Sequence, residues 1–226
     1  MLVAKTEVAP APLRWYADGE TLVYQDVIFH LSDLYQIVLK KIAEARKIFD
    51  EDLCLSGRSN PACDIPSLDL RLLVDNWDAA SPGHSFLTDP RNASYLEPLQ
   101  DWLITRVMKK NVLFNTFWTQ TAEGNWEVSA DAVQQYEDAV QRFLRAIMVP
   151  FFIGTGQHGR RTEFISIKWR NTTLTTRKLF LHDGQTLFVL SYHKTRSRTN
   201  GSRWIARVLL PEVAQLVTLV TAYITI

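Results

Sequence analysis

The chain has 226 residues, 46% of them hydrophobic, and a formal net charge of +1. That composition excludes a disordered chain and supplies enough apolar side chain for one large core or two small ones. The near-neutral total conceals a division: residues 151–226 hold eleven Lys and Arg against three acids, whereas residues 1–150 hold fourteen against twenty-one. A basic C-terminal third is the footprint of a polyanion partner, nucleic acid being the usual one, or else of a solvated basic face.

At the N-terminus, MLVAKTEVAPAPLRW has no continuous apolar run, so no secretory signal is expected. From Glu20 to Asp50, residues Leu22, Val23, Ile28, Leu31, Leu34, Ile37, Val38, Ile42, Ala45 and Ile48 fall mostly three and four apart, which predicts one long amphipathic helix. Residues 51–96 carry Gly57, Pro61, Pro66, Pro82, Gly83 and Pro90 and read as loop, with one short helix at 68–77. Cys54 and Cys63 are the two cysteines, without a CxxC spacing, so free thiols in a reducing compartment and no zinc site are expected. In that compartment the sequons at Asn92, Asn171 and Asn200 stay unglycosylated.

Helical spacing returns over 97–118 and over 129–149, where Ser129 is the predicted N-cap and Asp131 sits in the first turn. Residues 1–128 thus read as a helical N-terminal region, helices packed on helices, and residues 129–226 as a second domain. Beyond the last of these helices, FFIGTGQHGRRTEFISIKW sets Gly154 and Gly159 five apart, a distant likeness to a phosphate loop. A P-loop carries Lys and a hydroxyl after its second glycine and joins a core strand to a helix. Here Arg160 and Arg161 occupy those positions and the glycines follow a helix, so that reading is set aside.

TEFISIKW predicts a short helix. RKLFLHDGQTLFVLSYH holds two alternating apolar runs around Asp183-Gly184, a strong hairpin signal, and Asn200-Gly201 predicts a second turn before a strand in RWIARVLL. Pro211 opens a last helix that is apolar but shorter than the roughly 20 residues a membrane span needs, and it is expected to be buried by whatever follows it. The fold class is therefore α+β, mainly α with a small antiparallel β-sheet.

The order Arg160-Arg161-Thr162-Glu163, FISIKW, then LFVLSYHKTRSRTNGSRWIARVLLP with Lys194 entering the hairpin turn resembles the catalytic domain of tyrosine recombinases and phage-type integrases. From about Trp102 to Ile226, the pieces WLITRVM, YEDAVQRFLRAIMVPFFIGTGQHGRRTEFISIKWRNT, RKLFLHDGQTLFVLSYHKT and RWIARVLLPEVAQLV are similar to a fungal family of recombinase-like segments. That family is found beside telomere-linked RecQ-type helicase domains and is related to Crypton-like mobile elements. The resemblance implies a truncated integrase-like domain behind a helical region, acting in the nucleus on double-stranded DNA with self-association on that DNA, without a metal or other cofactor.

In such an enzyme an in-line attack on a phosphodiester builds charge on the non-bridging oxygens, and preorganised guanidinium groups stabilise it. The resemblance implies Arg160 in that role, Glu163 orienting it, and Lys194 protonating the leaving 5′ oxygen. Glu163 also reads as an acid favoured at a helix N-terminus. Arg161, Arg196, Arg198 and Arg203 are expected to contact phosphates, which positions DNA without reading its sequence. His158 has no assigned role, and His193 reads as a strand residue facing solvent or DNA. Trp169 and Trp204 are expected to pack in the core or on the hairpin.

The family also calls for an H-x-x-R-like arginine and a nucleophilic tyrosine on helices beyond the sheet, and the sequence to Ile226 contains neither. Tyr223 falls early, in an apolar helix, and is expected to be a packing residue. The expectation is a DNA-binding module that is catalytically incomplete. Its alternatives are a recombinase subunit completed in trans and a protein-interaction domain.

Overall fold

The computed structural model describes residues 13–56, 67–109, 112–156, 164–192 and 203–224. It is a mixed α+β structure, and it separates into two compact units, residues 1–40 and 41–226.

In the first unit, β1 (Leu13–Trp15), β2 (Thr21–Tyr24) and β3 (Val27–His30) form an antiparallel meander, and α1 (Leu31–Ile48) begins directly after it. The long helix expected from Glu20 is thus a hairpin followed by a helix. TLVY and VIFH are β-branched and aromatic runs that pair Leu22 with Phe29 and Val23 with Ile28, and Gln25 takes the left-handed φ of 54° that the tight turn requires. Asp18 fixes the entry, accepting from the Glu20 and Thr21 amides and the Thr21 hydroxyl. These hydrogen bonds, the Thr21 hydroxyl foremost, hold its carboxyl below the usual range.

In the second unit α1 ends in a π-turn, Phe49–Leu53, closed by the Cys54 amide on the Phe49 carbonyl. Cys54 is a buried free thiol; Cys63 lies outside the described residues. The helix expected at 68–77 shrinks to a 3₁₀ turn at Leu70–Leu72, capped by Asp69. A second such turn, Pro90–Asn92, leads into α2 (Ala93–Met108). The helix expected over 97–118 divides into α2 and α3 (Val112–Phe117), followed by a hairpin of β4 (Trp118–Gln120) and β5 (Trp126–Val128) that the spacing did not reveal. Strands of three residues are too short for a period of two to stand out from helical spacing.

The helix α4 (Ala130–Ile153) starts as expected, with the Ser129 hydroxyl accepting from the Ala132 amide. Its stripe of Ala139, Phe143, Ala146, Ile147 and Pro150 is buried. Each large side chain removed from water on that stripe contributes about 1.5–3 kcal/mol. After it, β6 (Leu179–His182), β7 (Gln185–Tyr192) and β8 (Arg203–Val208) form an antiparallel sheet in that order, and α5 (Pro211–Ile224) follows. The Asp183-Gly184 turn is as predicted, with both residues at positive φ, 46° and 74°. The turn expected at Asn200-Gly201 lies outside the described residues.

The inner sheet face, with Leu179, Leu181, Phe188 and Leu190, joins α4 and α5 in one core. Here the expectation for α5 is corrected. Its apolar side chains Val213, Leu216, Leu219 and Tyr223 are covered by elements that precede it, with α2, α4 and β7 as its packing partners. No described helix is long and apolar enough to cross a membrane.

Candidate nucleic-acid interface

Two stretches carry the residues that the resemblance singles out, and their described ends meet on the β6–β7–β8 sheet. The first leaves α4 at Gly154, which caps it with its amide on the Pro150 carbonyl. A β-carbon at Gly154 would sit 2.6 Å from Leu210 Cδ1 and 2.7 Å from the Pro150 carbonyl oxygen, so this close passage under the start of α5 admits only glycine without a shift. Arg207 of β8 then donates from Nη1 to the Thr155 carbonyl at 3.2 Å, tying the exit of α4 to the sheet.

The chain re-enters the described region at Phe164, a buried ring stacked on Phe152 with centroids 3.8 Å apart and lying 5.6 Å from Phe188 of β7. Of the short helix expected across TEFISIKW, residues 164–165 are helical and the Ile167 amide bonds the Phe164 carbonyl at its end, while Thr162 and Glu163 lie outside the described residues. The chain continues along β6, where the Lys168 carbonyl accepts from the Lys178 and Leu179 amides and Lys178 Nζ donates to Ser166 Oγ. The second stretch joins β7 to β8, whose last ladder pair is Tyr192 with Arg203.

Of the predicted site residues, Arg160, Arg161, Glu163, Lys194, Arg196 and Arg198 lie outside the described residues, as do His158 and His193. Arg203 opens β8, and its backbone alone is described. The sheet therefore fixes where both stretches are attached.

Arg177, counted with the basic third, is withdrawn from any surface: it forms an ion pair with Asp75 at 2.7 Å, the two side chains 1% and 0% exposed. Its Nη1 donates to Asp75 Oδ2 and its Nη2 to the Asn76 carbonyl, while Asp75 Oδ2 also accepts from the Leu181 amide of β6. Trp77 Nε1 donates to the Leu181 carbonyl. The segment around Asp75 is in this way bolted along the outer edge of β6. Asn171 completes the brace, taking the Arg177 amide and donating to the Ala79 and Ser81 carbonyls. Asn92 is buried likewise, donating to the Val74 and Phe86 carbonyls, so the asparagines of two of the three sequons are built into the interior, and Asn200 lies outside the described residues.

The opposite face of the sheet is covered in part, with Leu187 buried and Trp77 packed 5.0 Å from Phe180, and is exposed toward β8 at Trp204 and Val208. Trp77, Lys178, Phe180, Val189 and Trp204 line a groove of about 790 Å³ together with the threonine-rich turn at 172–176. Trp204, expected to pack on the hairpin, is 66% exposed, because its strand is the outermost of the sheet. Trp169 is partly buried against the core, with the Arg170 guanidinium 5.0 Å above its ring. Sequence reasoning missed this aromatic face, although Phe180, Val189 and Trp204 alternate with core residues along their strands, which is the signal that could have found it. Tyr223 meets its expectation: it is 6% exposed, between Phe49 at 6.0 Å and Trp102 at 5.7 Å. Among the described residues no three His, Cys, Asp or Glu side chains converge as a metal site.

Comparison of the chain with protein-family models, with curated proteins and with solved structures gives no match.

Proposed function

We propose that this chain is a tyrosine recombinase-like module that binds duplex DNA through the β6–β7–β8 sheet and the two basic stretches attached to it, and that it performs no covalent strand cleavage of its own. The observation that carries the reading is the attachment itself. A long helix, a glycine exit tied by Arg207, a turn anchored by Phe164 and a three-stranded meander follow in the order that the resembled catalytic domain requires. In this reading Arg160 and Arg161 face a phosphate with Glu163 orienting Arg160, and Lys194, Arg196, Arg198 and Arg203 neutralise neighbouring phosphates. The lineage is that of fungal mobile elements or telomere-linked helicases, and the place of action is the nucleus. Binding without cleavage is supported by Tyr223, which is 6% exposed and packs between the Phe49 and Trp102 rings.

The test is a salt titration of duplex DNA binding followed by anisotropy. Affinity falls steeply with salt, and replacing Lys194, Arg196, Arg198 and Arg203 together with alanine flattens the log–log slope by roughly 0.9 per lost phosphate contact. An unchanged slope removes this patch from the interface.

A second reading, a protein-interaction domain, is favoured by a wholly apolar cavity of about 290 Å³ lined by Leu103, Ile104, Val107, Phe117, Trp118 and Tyr136. Docking there responds little to salt, so the same titration separates the two.

A further inference from the structure

The two edges of the β6–β7–β8 sheet are unlike. At β6 the Leu181 amide is taken by Asp75, the Leu181 carbonyl by Trp77 and the Leu179 amide by the Lys168 carbonyl, so that edge is closed. At β8 the Leu209 amide bonds the Thr186 carbonyl, which fixes the alternation: Arg203, Ile205 and Arg207 turn their peptide groups toward β7. Trp204, Ala206 and Val208 then direct theirs away from the sheet, and no described residue pairs with them. At six residues, β8 is longer than the edge strands of the two other sheets, which have three or four. It also lacks the devices that guard an open edge: between Trp204 and Val208 there is no proline, no lysine and no bulge, and its outward side chains are apolar, Trp204 66% and Val208 47% exposed.

The geometry points to a second copy of this chain as the occupant: two β8 strands pair antiparallel about a two-fold axis through Ala206, joining two three-stranded sheets into one of six strands. The sequence is self-complementary in that register. Trp204 of one copy stands opposite Val208 of the other, an aromatic against a β-branched side chain, which is a favourable cross-strand pair. Ala206 meets its own copy on the axis, where a large side chain would crowd. Ile205 stands opposite Arg207, and position 203 opposite Leu209, so no two arginines oppose each other. Moving the axis to Ile205 would set Arg203 against Arg207, and moving it to Arg207 would set that residue against itself; like charges directly opposite are unfavourable. An isologous contact of this kind closes as a dimer and does not propagate, because each copy has spent the one long open edge found among the described residues. The inference uses no part of the DNA-binding reading, and dimerisation here needs no DNA.

The experiment is sedimentation velocity of the full chain in DNA-free buffer over a concentration series. A concentration-dependent monomer–dimer equilibrium is expected. Ala206→Pro removes the central outward amide hydrogen while leaving the bonds to β7, since an edge position whose N–H faces outward tolerates proline. It raises the dimer dissociation constant at least about tenfold. Val208→Lys, a surface change that guards the edge with charge, has the same effect should the proline disturb folding. In the Ala206→Cys protein the two facing α-carbons lie about 5.5 Å apart, within disulfide reach, so mild oxidation yields a covalent dimer whose bridge maps to position 206. A chain that stays monomeric throughout the series, or a dimer untouched by Ala206→Pro and Val208→Lys alike, overturns the proposal. A bridge that maps elsewhere overturns the register.

Discussion

Replacing Asp75 with alanine strips a buried guanidinium of its counter-ion. In the native chain Arg177 is enclosed, with Asp75 at 2.7 Å and its other bonds on the Asn76 and Leu179 carbonyls. The substitution leaves that charge uncompensated and also orphans the Leu181 amide, which gives its hydrogen to Asp75 at 2.9 Å. Breaking one side of a buried ion pair costs about 3–5 kcal/mol. In a chain of this size each kcal/mol shifts the midpoint by about 2–4 °C, so Asp75→Ala melts roughly 6–20 °C below the parent. Urea unfolding gives the free energy directly. Arg177→Met incurs a comparable loss, whereas the double variant Asp75→Leu with Arg177→Met loses markedly less than the sum, because no charge is left behind in the interior. The coupling in the cycle is expected at about 1–3 kcal/mol. A single-variant loss below about 1 kcal/mol, the range of exposed pairs, or strictly additive singles, would refute the claim that this pair is enclosed.

The other predictions concern a carboxylate, a close approach and a tyrosine. Asp89 accepts from Arg91 Nε at 2.9 Å and Nη2 at 2.7 Å; these bonds hold its carboxyl below the ordinary range against the opposing effect of burial. A depressed folded value stabilises fully above the unfolded value, about 3.9, and is lost as pH falls through the folded one. Asp89→Asn therefore lowers the melting point at pH 7, and the gap to the parent narrows in acid; a gap independent of pH refutes the assignment. Gly154→Ala forces a β-carbon to 2.6 Å from Leu210 and destabilises by about 1–3 kcal/mol in chemical denaturation; a neutral result would mean that α5 does not press on the exit of α4. With a nicked suicide duplex, a denaturing gel is expected to show no protein–DNA adduct, because Tyr223 is enclosed. A shifted band that disappears in Tyr223→Phe would make that tyrosine the nucleophile.

The sequence was most legible where a local signal had one structural meaning. Asp183-Gly184 between alternating runs can hardly be anything but a tight hairpin, and Ser129 ahead of a 3.6-residue stripe marks the start of α4. It misled where two periods fit the same residues. Leu22, Val23 and Ile28 fit the spacing of a helix although they belong to paired strands, and the residues of the short β4–β5 hairpin fit helical spacing equally well. The role of Arg177 could not be read at all. Its partner Asp75 lies 102 positions earlier, and a charge count cannot tell a guanidinium in water from one sealed in a core. The candidate site was legible only through resemblance, since an R-x-x-E and a hairpin lysine acquire meaning from their order along the chain.

The brace on β6 also sets a timetable for folding. The β6–β7 hairpin is a local structure that can form within microseconds of its residues becoming available. The bonds from Trp77 and Asp75 to Leu181 close loops of 104 and 106 positions, whose closure entropy must be met before any contact repays it. During synthesis Asp75 therefore waits, solvated and without its ion-pair partner, while about a hundred further residues emerge. The last event at this edge is the joint dehydration of a carboxylate and a guanidinium. Slow docking of that segment would leave a transient species with the hairpin formed and both of its sheet edges bare, the form of this chain most exposed to aggregation and to proteases.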